Sequence, residues 1–190
     1  NNAHENRITP ALGAKLATVS PDGKEGMHQH ARQCAEHGIP FVFDPGQGLP
    51  MFSGAELAEF IRLADYVAVN DYEGKMLEEK TGRSLDAIAR DVKALVVTLG
   101  AHGSQIHAGG KRFEIPCVAA DAVVDPTGCG DAYRSGLLHG IAQGWDWEST
   151  GRLGSLMGSI KIAHRGPQNH APSRAELDER FRKAFGYSPF

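Results

Sequence analysis

Two aspartates frame the glycine-rich run Asp125-Pro126-Thr127-Gly128-Cys129-Gly130-Asp131, whose spacing suits anion binding and proton transfer in one place. The run follows a short β segment, Val123-Val124, and precedes a helix expected over Ala132–Gln143. A helix starting there turns its unpaired N–H groups and the positive end of its dipole toward the run. Glycines at 128 and 130 let those amides approach an anion with no Cβ in the way. A carboxylate at 131 beside such a hole can take a proton from a hydroxyl while N–H groups hold phosphate charge. The plainer alternative is an Asp cap after a glycine turn, because such turns often precede helices.

Other positions could serve the same chemistry. In Asn70-Asp71-Tyr72-Glu73 a Glu on a first helical turn beside an Asn amide suits a hydrated Mg²⁺, although helix capping would use the same residues. Thr98-Leu99-Gly100-Ala101-His102-Gly103 follows an apolar strand and could present a hydroxyl and amides, or form an ordinary turn. His28 and His30 stand two apart on a helix, face different ways and are expected to be solvated surface residues. A Cys129 nucleophile would gain from the helix N-terminus, but no His stands beside it in the turn as a base. His164 and His170 flank a loop, and Trp145 and Trp147 should pack the start of a long helix.

Short β-branched runs alternate with amphipathic segments, the pattern of βα units around a mostly parallel sheet. Strands are expected at Lys15–Val19, Ile39–Phe43, Tyr66–Val69 and Leu95–Leu99, with helices from about Asp22 to His37, Ser53 to Ala64, Glu73 to Lys80 and Leu85 to Asp91. Gly38 stands at a C-cap position, Ser53-Gly54-Ala55-Glu56 has the form of a capping box, and Asp71 is read as a helix cap. Gly109-Gly110 joins Gln105–His107 to Lys111–Ile115 as a hairpin. A small-residue helix should run from about Ser149 to His164 and a capped one from Ser173 to about Phe185. With no linker or repeat, residues 1–190 are expected to form a single α/β domain.

Composition excludes several classes. Lys+Arg (20) nearly balance Asp+Glu (23) over 190 residues, so nucleic acid and anionic membrane are poor partners. Three scattered cysteines without a C-x-x-C pair argue against a disulfide framework or zinc site and for a cytoplasmic location. Apolar runs fall short of the ~20 residues a membrane span needs. Asn1-Asn2-Ala3-His4 carries no initiator Met, so the chain is expected to be a fragment.

The run from Asp125 to Gly136, D-P-T-G-C-G-D-A-Y-R-S-G, resembles the C-terminal signature D-T-x-G-A-G-D-x-F-x-x-G of PfkB (ribokinase-like) sugar and nucleoside kinases. Cys129 stands where Ala is usual, Pro126 replaces Thr, and Arg134 is bulkier than the pattern. The resemblance implies a three-layer α/β/α sandwich and an ATP-dependent phosphotransferase, with Asp131 as general base and the amides of Gly128, Cys129 and Gly130 as anion hole. Val69–Glu73 is similar to the family's N-x-x-E element, which gives Asn70 and Glu73 a role toward Mg²⁺ and its waters. Val97–Gly103 is similar to V-T-x-G-x-x-G, which puts Thr98, Gly100 and Gly103 on ATP, and Asp44-Pro45 to the D-P-x element. Family members often hold a monovalent cation such as K⁺; its ligands would map to Asp125, Thr127 and carbonyls of the loop His164–Gln168, near which adenine binds.

The wording D-P-G-Q-G and V-N-D-Y-E resembles adenosine kinase-like members, although a sugar acceptor such as ribose is equally compatible. Relatives extend further on the N-terminal side, where the first strands, most acceptor-binding residues and a β lid lie. The rival is therefore an ATP-binding module lacking its acceptor half. A Rossmann dehydrogenase fails for want of G-x-G-x-x-G, and a P-loop kinase for want of a Walker A sequence. Asn70, Glu73 and Asp131 are expected to share one cleft, and a homodimer is an open expectation.

Overall fold

A computed structural model describes residues 7–190, so the opening Asn1–His4 lies outside the described residues. Six strands form one sheet in the order β1-β2-β3-β4-β5-β6: β1 (Ala17–Val19), β2 (Phe41–Phe43), β3 (Tyr66–Asn70), β4 (Ala94–Thr98), β5 (Ser104–Ala108) and β6 (Lys111–Ile115). The first four are parallel, with Val67 opposite Leu95 and Phe43 opposite Val67. Positive-φ glycines 109 and 110 turn β5 into β6, the hairpin the sequence suggests. Contacts divide the chain into two compact units, one running through Thr98 with Ile106–Arg112, the other Leu99–Gln105 with Phe113–Phe190.

In the first unit, α1 (Lys24–Glu36), α2 (Gly54–Leu63), α3 (Asp71–Thr81) and the short α4 (Leu85–Ala89) alternate with the strands. A group of phenylalanines sits within its largely aliphatic core. Phe41, Phe43, Phe52 and Phe60 are buried, and Phe60 stacks on Phe43 at 4.5 Å. His28 stacks on the same Phe60 ring, also at 4.5 Å, and its Nε2 lies 3.3 Å from Glu56 Oε1. It is therefore a buried core histidine rather than the surface residue expected, because the helix turns it inward onto the phenylalanines. Ser53 and Glu56 make the reciprocal capping box at the start of α2. Gly38 takes a left-handed φ of 64° after α1, as a C-cap glycine should.

The second unit carries α5 (Cys129–Gln143), α6 (Trp147–Ile162) and α7 (Arg174–Phe185). Leu153, Leu156 and Ile160 of α6 pack with Phe181 of α7, and Trp145 and Phe190 close this cluster edge to face. Asp146 caps α6, so Trp145 precedes the helix and Trp147 opens it. The segment Val123-Val124 is no strand. Both side chains are exposed, and the Val124 and Asp125 amides donate instead to Ile162 O at the end of α6 (2.8 and 3.1 Å).

The crossing of α5 and α6 is made backbone to backbone. A Cβ on Gly136 would fall 2.7 Å from Gly154 N, and one on Gly154 would fall 3.0 Å from the Tyr133 ring. The small residues of α6 thus serve helix packing. Gly158 is different: a Cβ there meets only Cys129 O at 3.8 Å. Gly136→Ala should therefore lower the unfolding free energy by about 1–3 kcal/mol through overpacking. Gly158→Ala should be neutral or stabilising through better helix propensity. Urea midpoints of the two variants check this, and equal effects would refute the close crossing.

Candidate active site

The glycine-rich run turns sharply into α5. Gly128 is the N-cap with φ 82°, a left-handed conformation that a Cβ would strain, and a Cβ there would also fall 2.9 Å from Pro167 Cβ. Cys129, Gly130 and Asp131 are the first three helical residues, so Asp131 stands within the first turn of α5 and is exposed. The Cys129 amide donates to Pro126 O at 3.1 Å and closes the turn. Of the three amides expected to face an anion, that one is therefore already engaged by local geometry. The amides of Gly128 and Gly130 lie outside the turn's backbone hydrogen bonds. Burial pushes the Cys129 thiol up despite the opposing charge of Lys161, against the activation that a helix N-terminus alone would give.

Asp125 is a clasp. Its Oδ1 accepts the Thr127 amide at 2.9 Å and its Oδ2 the Gly166 amide at 2.8 Å, which ties the turn to the loop after α6. The Thr127 and Gly166 amides, in that order, hold its carboxyl at about 2, well below the usual range. Lys161, in the last turn of α6, is wholly buried and donates from Nζ to Asp125 O (2.7 Å) and His164 O (2.9 Å). The sequence reading missed this lysine. Its signal was a lone charge in the small and apolar stretch Gly158–Ala163. His164 turns its Nδ1 to Ile160 O at 2.9 Å, and burial lowers the pKa of His170.

Tyr133, two residues past Asp131, is buried and hydrogen-bonded to Ser104 Oγ at 2.7 Å at the start of β5. Burial drives its phenol up to about 12. Gly103 just before β5 has φ 87°, and a Cβ there would fall 3.0 Å from Cys117 N. Its amide donates to Gly100 O at 3.2 Å, so the turn itself uses that N–H. Gly100, φ 57°, opens the same turn over open space.

In the first unit, Asn70 rather than Asp71 caps α3, because Asn70 Oδ1 accepts the Glu73 amide at 2.7 Å. Glu73 Oε2 returns the contact to the Asn70 amide at 2.8 Å, completing a capping box. The capping alternative thus accounts for where both side chains sit. It leaves a carboxylate at a strand end, a donor suited to Mg²⁺ through water. Thr98 Oγ1 reaches Val69 O at 3.5 Å on the neighbouring strand, and Asp44 is buried at the end of β2. Among the described residues, no three His, Cys, Asp or Glu side chains cluster as a metal cage, and no helix is long and apolar enough to cross a membrane.

A parallel βα sheet with a Gly-capped helix carrying Asp131 defines a class, and comparison makes it specific. Residues 10–174 match the family described as pfkB family carbohydrate kinase, and the chain belongs to that family. It is 37% identical over 141 residues to a nucleoside kinase of Methanocaldococcus jannaschii, covering 74% of this chain and 47% of that protein. The structure of Burkholderia thailandensis nucleoside kinase in complex with inosine superposes with a TM-score of 0.91 at 58% identity, over 92% of this chain and 58% of that one. The adenosine kinase of Sinorhizobium meliloti gives a TM-score of 0.75 at 28% identity, over 93% and 57%. The fold class is accordingly the ribokinase-like three-layer α/β sandwich on a mostly parallel sheet. The chain spans about half the length of the curated relatives it matches.

The clasp carries a pH signature. A carboxyl depressed in the folded state stabilises the fold fully above its unfolded pKa of about 4. That contribution fades as the pH falls through about 2. Asp125→Asn should therefore be less stable than the parent at neutral pH, with the gap shrinking between about pH 4 and pH 2. A gap independent of pH in denaturant titrations would remove the charge from the clasp's role.

Proposed function

We propose that the full-length protein transfers the γ-phosphoryl group of ATP to a hydroxyl of a nucleoside, with Asp131 as general base. The observation that carries this reading is the N-terminus of α5. There the left-handed Gly128, two amides clear of the turn's own bonding and the Asp131 carboxylate meet within four residues. A nucleoside acceptor is favoured over a free sugar by the likeness to a nucleoside kinase bound to inosine and, in another complex, to ADP-inosine.

The chain's own groups divide the work as follows. Asp131 takes the proton from the attacking hydroxyl as the oxygen becomes nucleophilic. The amides of Gly128 and Gly130, with the dipole of α5 behind them, hold the charge spread over the phosphoryl oxygens in the loose transition state. Thr127 stays within the turn through its amide on Asp125. Thr98 and the turn at Gly100 and Gly103 serve the nucleotide. Glu73, steadied by Asn70, would hold Mg²⁺ through water, and that ion would neutralise phosphate charge.

Asp131→Asn in the full-length protein should cut turnover about 10²–10⁴-fold, because the amide keeps the shape but cannot accept the proton. ATP affinity should change little. Turnover with inosine, adenosine and ribose, measured beside nucleotide affinity, tests both parts. An Asn variant with near-parental turnover makes Asp131 a cap, and ATP binding without transfer to any acceptor favours the binding module.

A further inference from the structure

The resemblance maps a monovalent-cation site onto Asp125, Thr127 and carbonyls of the loop after α6, and these residues do not fit one. A bare monovalent ion is held when carbonyl and carboxylate oxygens replace its hydration shell. Here both carboxylate oxygens of Asp125 are taken by N–H groups, those of Thr127 and Gly166. The carbonyls of Asp125 and His164, one from the turn and one from the loop, converge instead on the ammonium of Lys161 at 2.7 and 2.9 Å. Those distances are those of strong charge-assisted hydrogen bonds. We infer that the Lys161 ammonium does the work of a bound monovalent cation, bridging the turn to the α6 loop, so that phosphoryl transfer by this protein needs no K⁺.

Three further observations support the assignment. First, Lys161 has no exposure at all, and burying a charge is costly unless the site requires one. Its surroundings supply the compensation, since the carbonyls of Asp125 and His164 both accept from its ammonium. Second, Lys161 lies in the last turn of α6, where the negative end of the helix dipole attracts a cation of any kind. Third, the same turn that Lys161 grips carries Gly128, Gly130 and Asp131. An ammonium has three directed donors and a tether, so it holds these carbonyls without exchanging with solvent. Lys161 is thus a positioning residue. It acts on the anion hole through Asp125 and touches no reacting atom.

The inference rests on the kinase reading, and the experiment separates their failures. Turnover of the full-length protein is followed at a fixed ionic strength of about 0.1 M, with choline or K⁺ as the only added monovalent cation. The parent should change less than about twofold between them, whereas a cation required by the site would change it roughly tenfold or more. Lys161→Ala should lose roughly tenfold or more in choline and regain part of it with K⁺ or methylammonium, which can enter the space left. Lys161→Met should lose as much and regain nothing, because its side chain fills that space. A parent that depends on K⁺, a Lys161→Ala variant active in choline, or a loss that neither ion restores would each overturn the inference. If Lys161→Ala fails to fold, the parent's own K⁺ titration still decides. If no acceptor is phosphorylated, the kinase reading falls, and melting temperatures take over: the parent should melt alike in K⁺ and choline, and Lys161→Ala higher in K⁺.

Discussion

The turn ahead of α5 is fastened from outside itself. Its carboxylate, Asp125, reaches the Gly166 amide, and its carbonyl at the same residue receives the Lys161 ammonium. Both partners come from the end of α6. The turn therefore owes its shape to partners that lie 36 and 41 residues further along the sequence. A glycine-rich segment left to itself has many conformations, and fixing one costs roughly 1–2 kcal/mol per residue. Two charge-assisted bonds at one residue offset that cost where the amides of Gly128 and Gly130 must be aimed.

Local chemistry made much of this fold legible in the sequence. Ser53–Glu56 and Ser173–Glu176 form the boxes their spacing announces, because each needs only residues three apart. Gly38, Gly109 and Gly110 adopt the left-handed conformations that their places between periodic segments require. The signature that resembles the PfkB pattern led to the family to which the chain belongs. The sequence places the run ending at Asp131 just ahead of a helix, and α5 starts slightly earlier, so that Asp131 lies in its first turn.

What the sequence concealed depends on partners distant along the chain. Val123-Val124 has strand-forming side chains, yet the Val124 amide donates to Ile162 O rather than to a neighbouring strand. His28 looked like a surface residue until Phe60 and Phe52 closed around it. Asn70, not Asp71, caps α3, a shift of one residue that periodicity cannot resolve. Lys161 reads as one more charge on a helix, and only the three-dimensional meeting of two carbonyls gives it meaning. The Asn70–Glu73 box shows the converse, since one hydrogen-bond pair explains the motif's geometry whatever else the carboxylate does.

The contact between Gly136 and Gly154 has a mechanical consequence. Side chains that interdigitate can absorb a small displacement by changing rotamer, but two backbones in direct contact have no such slack. A push on α6 near Gly154 is therefore passed to α5 nearly undiminished, and with it to the turn at its head. The pair behaves as a stiff lever rather than a cushion.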